Sequence, residues 1–239
     1  MFFKLNHLLT TLENYIFPSS CAVCRQPGKA LCPACRVRIP RLSAVCPGCA
    51  CKNALGLFCA DCQKTQNYSF DGLFSYGAYE NKILKSALRA LKYQGAREIG
   101  LILGKMLGRQ LAGSWTKAPV SWLKQKPIIM PMPLHSRRQR ERGFNQSLYI
   151  AQGISALSGW PIDQKMRRLT YQAPSAKLNY HDRQKQNKIF SYPDQLPPNQ
   201  VIIIVDDIIT TGATAQAAAN ALKEAGAKIV IVATVAKSL

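Results

Sequence analysis

Asp206 and Asp207 stand side by side after a run of five apolar residues, Val201 to Val205, and Thr210, Thr211, Gly212, Ala213 and Thr214 follow within a few positions. An apolar, largely β-branched run of this length reads as a strand buried on both faces of a parallel sheet. Acids placed where such a strand ends lie where open α/β sheets bind ligands. The hydroxyl-rich turn leads into AQAAANALKEAGA, which is strongly helical. A turn of small residues that opens a helix presents backbone N–H groups and the positive helix end, which suits an anion. Two carboxylates beside a phosphate cradle fit a phosphorylated sugar. The acids accept from ribose hydroxyls and the turn takes the 5′-phosphate. An acidic cap with a Thr turn would explain each piece but not their order.

A second chemistry sits near the N-terminus. All nine cysteines lie between Cys21 and Cys62, and eight form C-x-x-C pairs: Cys21/Cys24, Cys32/Cys35, Cys46/Cys49 and Cys59/Cys62. One such turn offers two thiolates to a tetrahedral ion, and two turns complete a Cys₄ zinc site. With no free ligand position and no His, such sites are structural. Two groupings are open, sequential and interleaved; the short intervening loops favour sequential pairing, which is cheap to close. Cys51 falls outside the pairs and is assigned no role. A disulfide scaffold is the competing reading, disfavoured in a chain without an export signal.

Basic residues form two further groups. Arg137, Arg138, Arg140 and Arg142 crowd after the short apolar run PIIMPMP, and clustered guanidiniums repel one another unless an anion sits among them. Their segment reads as a loop that grips a pyrophosphate. Lys82, Lys85, Arg89 and Lys92 share one face of a helix whose other face carries Ile83, Leu84, Ala87, Leu88 and Leu91. A basic stripe is either a solvated face or a track for a phosphate backbone.

The elements that must position these groups follow from periodicity. Residues 1–17 have helical apolar spacing. YSFDGLFSYGAY reads as a hairpin about Asp71-Gly72, followed by the basic helix with Gly95 past its end. A second helix is expected over Ala96–Leu111, a connecting loop over 113–126, a strand at 127–133, a helix opened by GFNQ, a long loop over 167–190, and a final strand from Lys228. A loop of that length inside a compact domain is usually functional; its His181 has no visible partner and is read as exposed. The chain of 239 residues carries 32 basic and 12 acidic residues, a formal charge of +20. Such an excess points to polyanion partners. No apolar run reaches the ~18 residues of a membrane span, and the N-terminus is a poor secretory signal, so a cytoplasmic location with reduced thiols is expected.

Val201–Thr214 resembles the phosphoribosyl pyrophosphate loop of type I phosphoribosyltransferases. Together with the C-x-x-C series, LKYQG at 91–95, RRQRERGFNQS at 137–147 and RLTYQAPSAKLNYHDRQKQNKIF at 168–190, it makes the whole chain after residue 20 resemble the ComF family of competence-associated proteins. The resemblance implies an α/β, type I phosphoribosyltransferase-like parallel-sheet domain over 66–239, preceded over 1–65 by an N-terminal helix and a zinc-stabilised module. It implies that Asp206 and Asp207 contact ribose and that 210–214 hold the 5′-phosphate. The Pro131–Arg138 turn, with Arg137 and Arg138, would take pyrophosphate. Residues 168–187, where Arg168, Thr170, Gln172, Arg183 and Asn187 match, resemble the loop that covers a transferase site, so Arg168 and Arg183 join the two acids as catalytic candidates. Structural Zn²⁺, and Mg²⁺ with phosphoribosyl pyrophosphate, are the implied cofactors. Single-stranded DNA, held by Lys85, Arg89, Lys92, Arg140 and Arg142, and other competence proteins are the implied partners, in natural transformation. Whether a transferase reaction occurs stays open. A DNA-uptake protein, a transferase of nucleotide metabolism and a sugar-phosphate-responsive regulator all fit, because fold does not fix function.

Overall fold

The computed structural model describes residues 20–65, 68–117, 126–170 and 189–238. In chain order the elements are α1 (Pro33–Val37), α2 (Ala60–Thr65), β1 (Gly72–Ala78), α3 (Lys82–Tyr93), α4 (Arg97–Trp115), β2 (Ile128–Pro131), α5 (Ser136–Arg142), α6 (Gln146–Ser158), β3 (Arg167–Arg168), β4 (Phe190–Ser191), β5 (Val201–Ile209), α7 (Ala213–Glu224) and β6 (Ile229–Lys237). Four strands form one sheet in the order β1-β6-β5-β2, and every pairing in it is parallel. β3 and β4 pair antiparallel as a separate short ribbon. The α/β class and the parallel sheet are therefore as expected.

β5 explains why a run of five apolar residues is needed. Val201, Ile203 and Val205 enter the core shared with α3, α4 and α6, whereas Ile202 and Ile204 enter the core beneath α7. Side chains alternate along a strand with period two, so a strand covered on both faces must be apolar at every position. α7 meets it with Ala215, Ala218, Ala219 and Leu222. On the other face α4 and α6 approach unusually closely. A Cβ on Gly104 would collide with the Ile150 carbonyl oxygen, and one on Gly153 with that of Leu101. This contact fixes α6, whose first turn faces the site.

Three local expectations are corrected. The hairpin at Asp71-Gly72 is a single strand: the Asp71 N–H donates to the Val230 carbonyl at 2.7 Å and its Oδ2 accepts from the Val230 N–H at 2.7 Å, tying the chain to β6 instead of turning it. The second helix extends to Trp115, past the expected loop start, because Leu111 and Trp115 are buried on its apolar face. The arginine segment is a short helix, α5, started by His135, whose Nδ1 accepts from the Arg137 N–H at 3.3 Å.

The Cys-rich segment lies against the sheet domain. Cys21, Cys32 and Cys35 pack in the core with Ile39, Tyr76 and Leu84, and Cys46 packs in the opposite core with Phe58 and Phe70. The Leu42 N–H donates to the Tyr76 carbonyl at 2.8 Å, and Gln110 Nε2 donates to the Leu42 carbonyl at 2.9 Å. No helix among the described residues is long and apolar enough to cross a membrane.

Candidate functional site

The candidate site lies at the C-terminal end of the sheet. Asp206 and Asp207 are inside β5, which continues to Ile209 before the turn at 210–212. Gly212 holds φ +77°, a left-handed conformation that a side chain would strain, and α7 starts at the next residue. Asp206, Thr210, Thr211, Gly212, Thr214 and Thr234 line a cavity of about 70 Å³ at this helix start. The backbone N–H of Asp207 donates to Asp206 Oδ1 at 2.8 Å, and that of Ile208 donates to Asp207 Oδ1 at 2.9 Å.

α6 contributes the next layer, and RGFNQS explains how. Asn145 caps α6 by accepting from the Ser147 N–H at 3.0 Å, while its Nδ2 donates to the Met132 carbonyl at 3.0 Å, just beyond β2. One side chain thus ties the end of β2 to the start of α6. Ser147, fully buried, donates from Oγ to Asp206 Oδ1 at 2.9 Å. Ser147 falls within the quoted motif, yet its role is invisible in sequence because Asp206 is 59 positions away.

Burial drives the Asp206 carboxyl upward, to about 7, and the neighbouring Asp207 charge adds to the rise; hydrogen bonds from the Asp207 N–H and Ser147, and the Lys92 charge, oppose it. Lys92 Nζ lies 2.8 Å from Asp207 Oδ2. The contact is an ion pair whose angle gives Oδ2 no directed hydrogen bond. Lys92 is the last basic residue of the α3 stripe, and the helix turns it into the site while Lys85 and Arg89 stay exposed.

The arginines divide in the same way. Arg168, on β3, is partly buried, and its guanidinium is made less basic by burial and then by the nearby Arg138 charge, against the pull of Asp206. Its Nε has no partner among the described residues, and the guanidinium stacks over Phe190 with its centre 5.4 Å from the ring centroid. Arg138 therefore joins Arg168 and Asp206 in one electrostatic neighbourhood. Arg137 is instead on the outer surface of α5, paired with Glu141 at 3.1 Å, and Arg140 is exposed. Arg142 lies over the ring of Tyr93 at 6.0 Å. Lys92, Tyr93, Arg138, Arg142 and Phe144 line an open groove of about 520 Å³. Arg183 and His181 lie outside the described residues.

The thiols gather in two groups. The Sγ atoms of Cys21, Cys24, Cys32 and Cys35 lie within 4.8 Å of one another, as do those of Cys46, Cys49, Cys51 and Cys59. Cys62 interacts with the thiols of Cys59, Cys49 and Cys46. Cys51, given no role from spacing, is thus drawn into the second group. Burial opposes ionisation of Cys21, but backbone N–H groups of Cys24, Cys32 and Val23 outweigh it and bring the thiol down to about 6; at Cys46 the N–H groups of Cys59, Cys49 and Gly48 overcome burial in the same way, again to about 6. Soft sulfurs gathered this closely are a donor set that can hold zinc.

Comparison with known proteins bears on the sheet domain. Residues 174–238 match the phosphoribosyl transferase domain family. A solved structure described as the allosteric regulatory enzyme of purine biosynthesis is similar over 56% of this chain and 25% of its own length, at 19% identity and a TM-score of 0.36. The similar stretch spans about a quarter of that protein's length. A comparison with curated proteins finds no match. The chain is phosphoribosyltransferase-like over its C-terminal part.

Proposed function

We propose that this protein binds phosphoribosyl pyrophosphate at the end of β5 and serves the handling of single-stranded DNA in natural transformation, as a cytoplasmic member of the ComF family. The observation that carries the sugar-phosphate reading is the convergence of unlike charges. Asp206, next to Asp207, lines a small cradle at a helix start, and it lies within electrostatic reach of Arg168, which also feels Arg138 and whose Nε has no partner among the described residues. Asp206 and Asp207 accept from the ribose hydroxyls, residues 210–214 take the 5′-phosphate, and Arg138 and Arg168 face the pyrophosphate. Mg²⁺ bound with the ligand would offset pyrophosphate charge, and two adjacent carboxylates are hard oxygen donors that suit it. If transfer occurs, these residues act by position and electrostatics on a departing pyrophosphate. Arg183 and the residues around it belong to the covering loop in this reading.

The DNA part rests on the charge of +20 and on the groove beside the site. Tyr93 is 76% exposed between α3 and α5, with Arg142 beside it. An exposed ring among guanidiniums is the arrangement on which single strands stack. Lys85 and Arg89 continue the basic face along α3, and Arg140 along α5. The Cys-rich module, holding Zn²⁺, would dock other competence proteins. A transferase of nucleotide metabolism is the second reading, favoured by how completely the cradle and both acids are assembled.

The testing experiment is thermal unfolding with Mg²⁺ and phosphoribosyl pyrophosphate. A ligand that binds only the native state adds about 2.7 kcal/mol at a hundredfold excess over Kd. Wild type should melt higher with ligand, and Asp207→Ala should melt at one temperature with or without it. No shift for wild type at millimolar ligand refutes the reading.

A further inference from the structure

The two halves of the Cys-rich segment repeat one construction. In the first, the Cys21 N–H donates to the Gln26 carbonyl at 2.9 Å and the Arg25 N–H to the Cys21 carbonyl at 2.9 Å; in the second, the Cys46 N–H donates to the Cys51 carbonyl at 2.8 Å and the Ala50 N–H to the Cys46 carbonyl at 2.9 Å. Arg25 and Ala50 share a left-handed backbone, at φ 66° and 60°. The Cys32 N–H points at Cys21 Sγ and the Cys59 N–H at Cys46 Sγ, both at 3.4 Å. Cys24 and Cys32 sulfurs are 3.6 Å apart, as are those of Cys49 and Cys59. The remaining thiols, Cys35 and Cys62, sit on the short helices α1 and α2.

This correspondence places Cys51 where the first half has Gln26. The first half therefore offers four thiols and the second five, and Cys51 Sγ is within 4.8 Å of those of Cys46, Cys49 and Cys59. Zinc in a structural site takes four ligands. The second group is also the more open: Cys49 and Cys51 are exposed and Cys59 and Cys62 half-buried, whereas only Cys24 is exposed in the first.

Resting on the zinc reading above, we propose that Cys51 is a ligand-competent fifth thiol, so that Cys51 and Cys62 exchange as the fourth ligand of the second zinc ion. The first ion, with no spare thiolate, is held inertly. The second is held by an exchangeable set, since an incoming thiolate already stands beside the ion and lowers the cost of displacing another.

Zinc content of the purified full chain tests this. Wild type, Cys51→Ser and Cys62→Ser should each carry two zinc ions per chain, and the double variant one. A Cys62→Ser chain with one ion, against two in wild type, overturns the proposal. If Cys62→Ser does not fold, the rate of zinc transfer to a chromophoric chelator decides. Cys51→Ser should release its more labile ion at least tenfold more slowly than wild type, and equal rates overturn the proposal. A wild-type chain without zinc would instead sink the metal reading itself, a distinguishable result.

Discussion

Asp206→Asn should stabilise the unliganded protein, and by more at higher pH. The Asp206 carboxyl is raised from 3.8 to about 7 by burial and by Asp207, so the native state keeps a proton that the unfolded chain releases. Between these values unfolding is coupled to proton release, and wild-type stability falls as pH rises. Above about 7 both states are ionised and the dependence ends. With a folded value of about 7, the wild type loses about 2 kcal/mol between roughly pH 5.5 and pH 7.5, at 1.36 kcal/mol per unit of differential protonation. Asn is isosteric, and its Oδ1 can still accept from Ser147 Oγ and from the Asp207 N–H, the two hydrogen bonds that Asp206 Oδ1 makes.

Urea titrations of both proteins, with zinc in excess and no sugar phosphate, measure the effect. The stability difference, variant minus wild type, should widen by about 2 kcal/mol across that window, a change well resolved by midpoint shifts at constant slope. Parallel curves would refute the reasoning, because they would mean that Asp206 ionises as easily folded as unfolded and that burial beside Asp207 imposes no penalty.

Two further outcomes follow from the packing and the charge. Gly104→Ala drives a methyl into the Ile150 backbone carbonyl, so thermal unfolding should show a loss of about 3 kcal/mol or more, with α6 displaced and ligand binding lost alongside. Single-stranded DNA should bind with a steep salt dependence, and replacing Lys85 and Arg89 by Gln should reduce the slope of log K against log salt by about 1.4, at ~0.7 per phosphate contact; an affinity indifferent to salt refutes electrostatic binding.

What the sequence discloses depends on range. β5, the turn at 210–214 and α7 are contiguous, and an all-apolar strand can be recognised because it is covered on both faces, so this stretch was legible. The α3 periodicity was legible too: Leu84, Ala87, Leu88 and Leu91 are all buried. The misread pieces were decided by distant partners. Asp71-Gly72 has turn chemistry, but Val230 claims both the N–H and the carboxylate of Asp71. Cys51 breaks the C-x-x-C spacing and joins its group only because the chain reverses at Ala50 and returns beside Cys49. Lys92 is indistinguishable in sequence from Lys85 and Arg89. Its position at the last turn of α3, nearest the end of β5, sets it apart.

The resting site holds two like-charge conflicts close together. Asp206 and Asp207 are adjacent carboxyls, and Arg168, made less basic by burial, is weakened further by the Arg138 charge beside it. Lys92 relieves the first conflict in part, by pairing with Asp207 but not with Asp206. Asp206 offsets the second only in part, and Arg168 Nε stays without an acceptor among the described residues. A neutral sugar would leave the guanidiniums as they are, and inorganic phosphate would leave the acids unsatisfied. A ligand that joins ribose hydroxyls to an anionic chain answers both conflicts in one molecule, with its donors on the acids and its acceptors on the arginines. That complementarity is the physical reason to prefer a phosphoribosyl polyphosphate over either half of it.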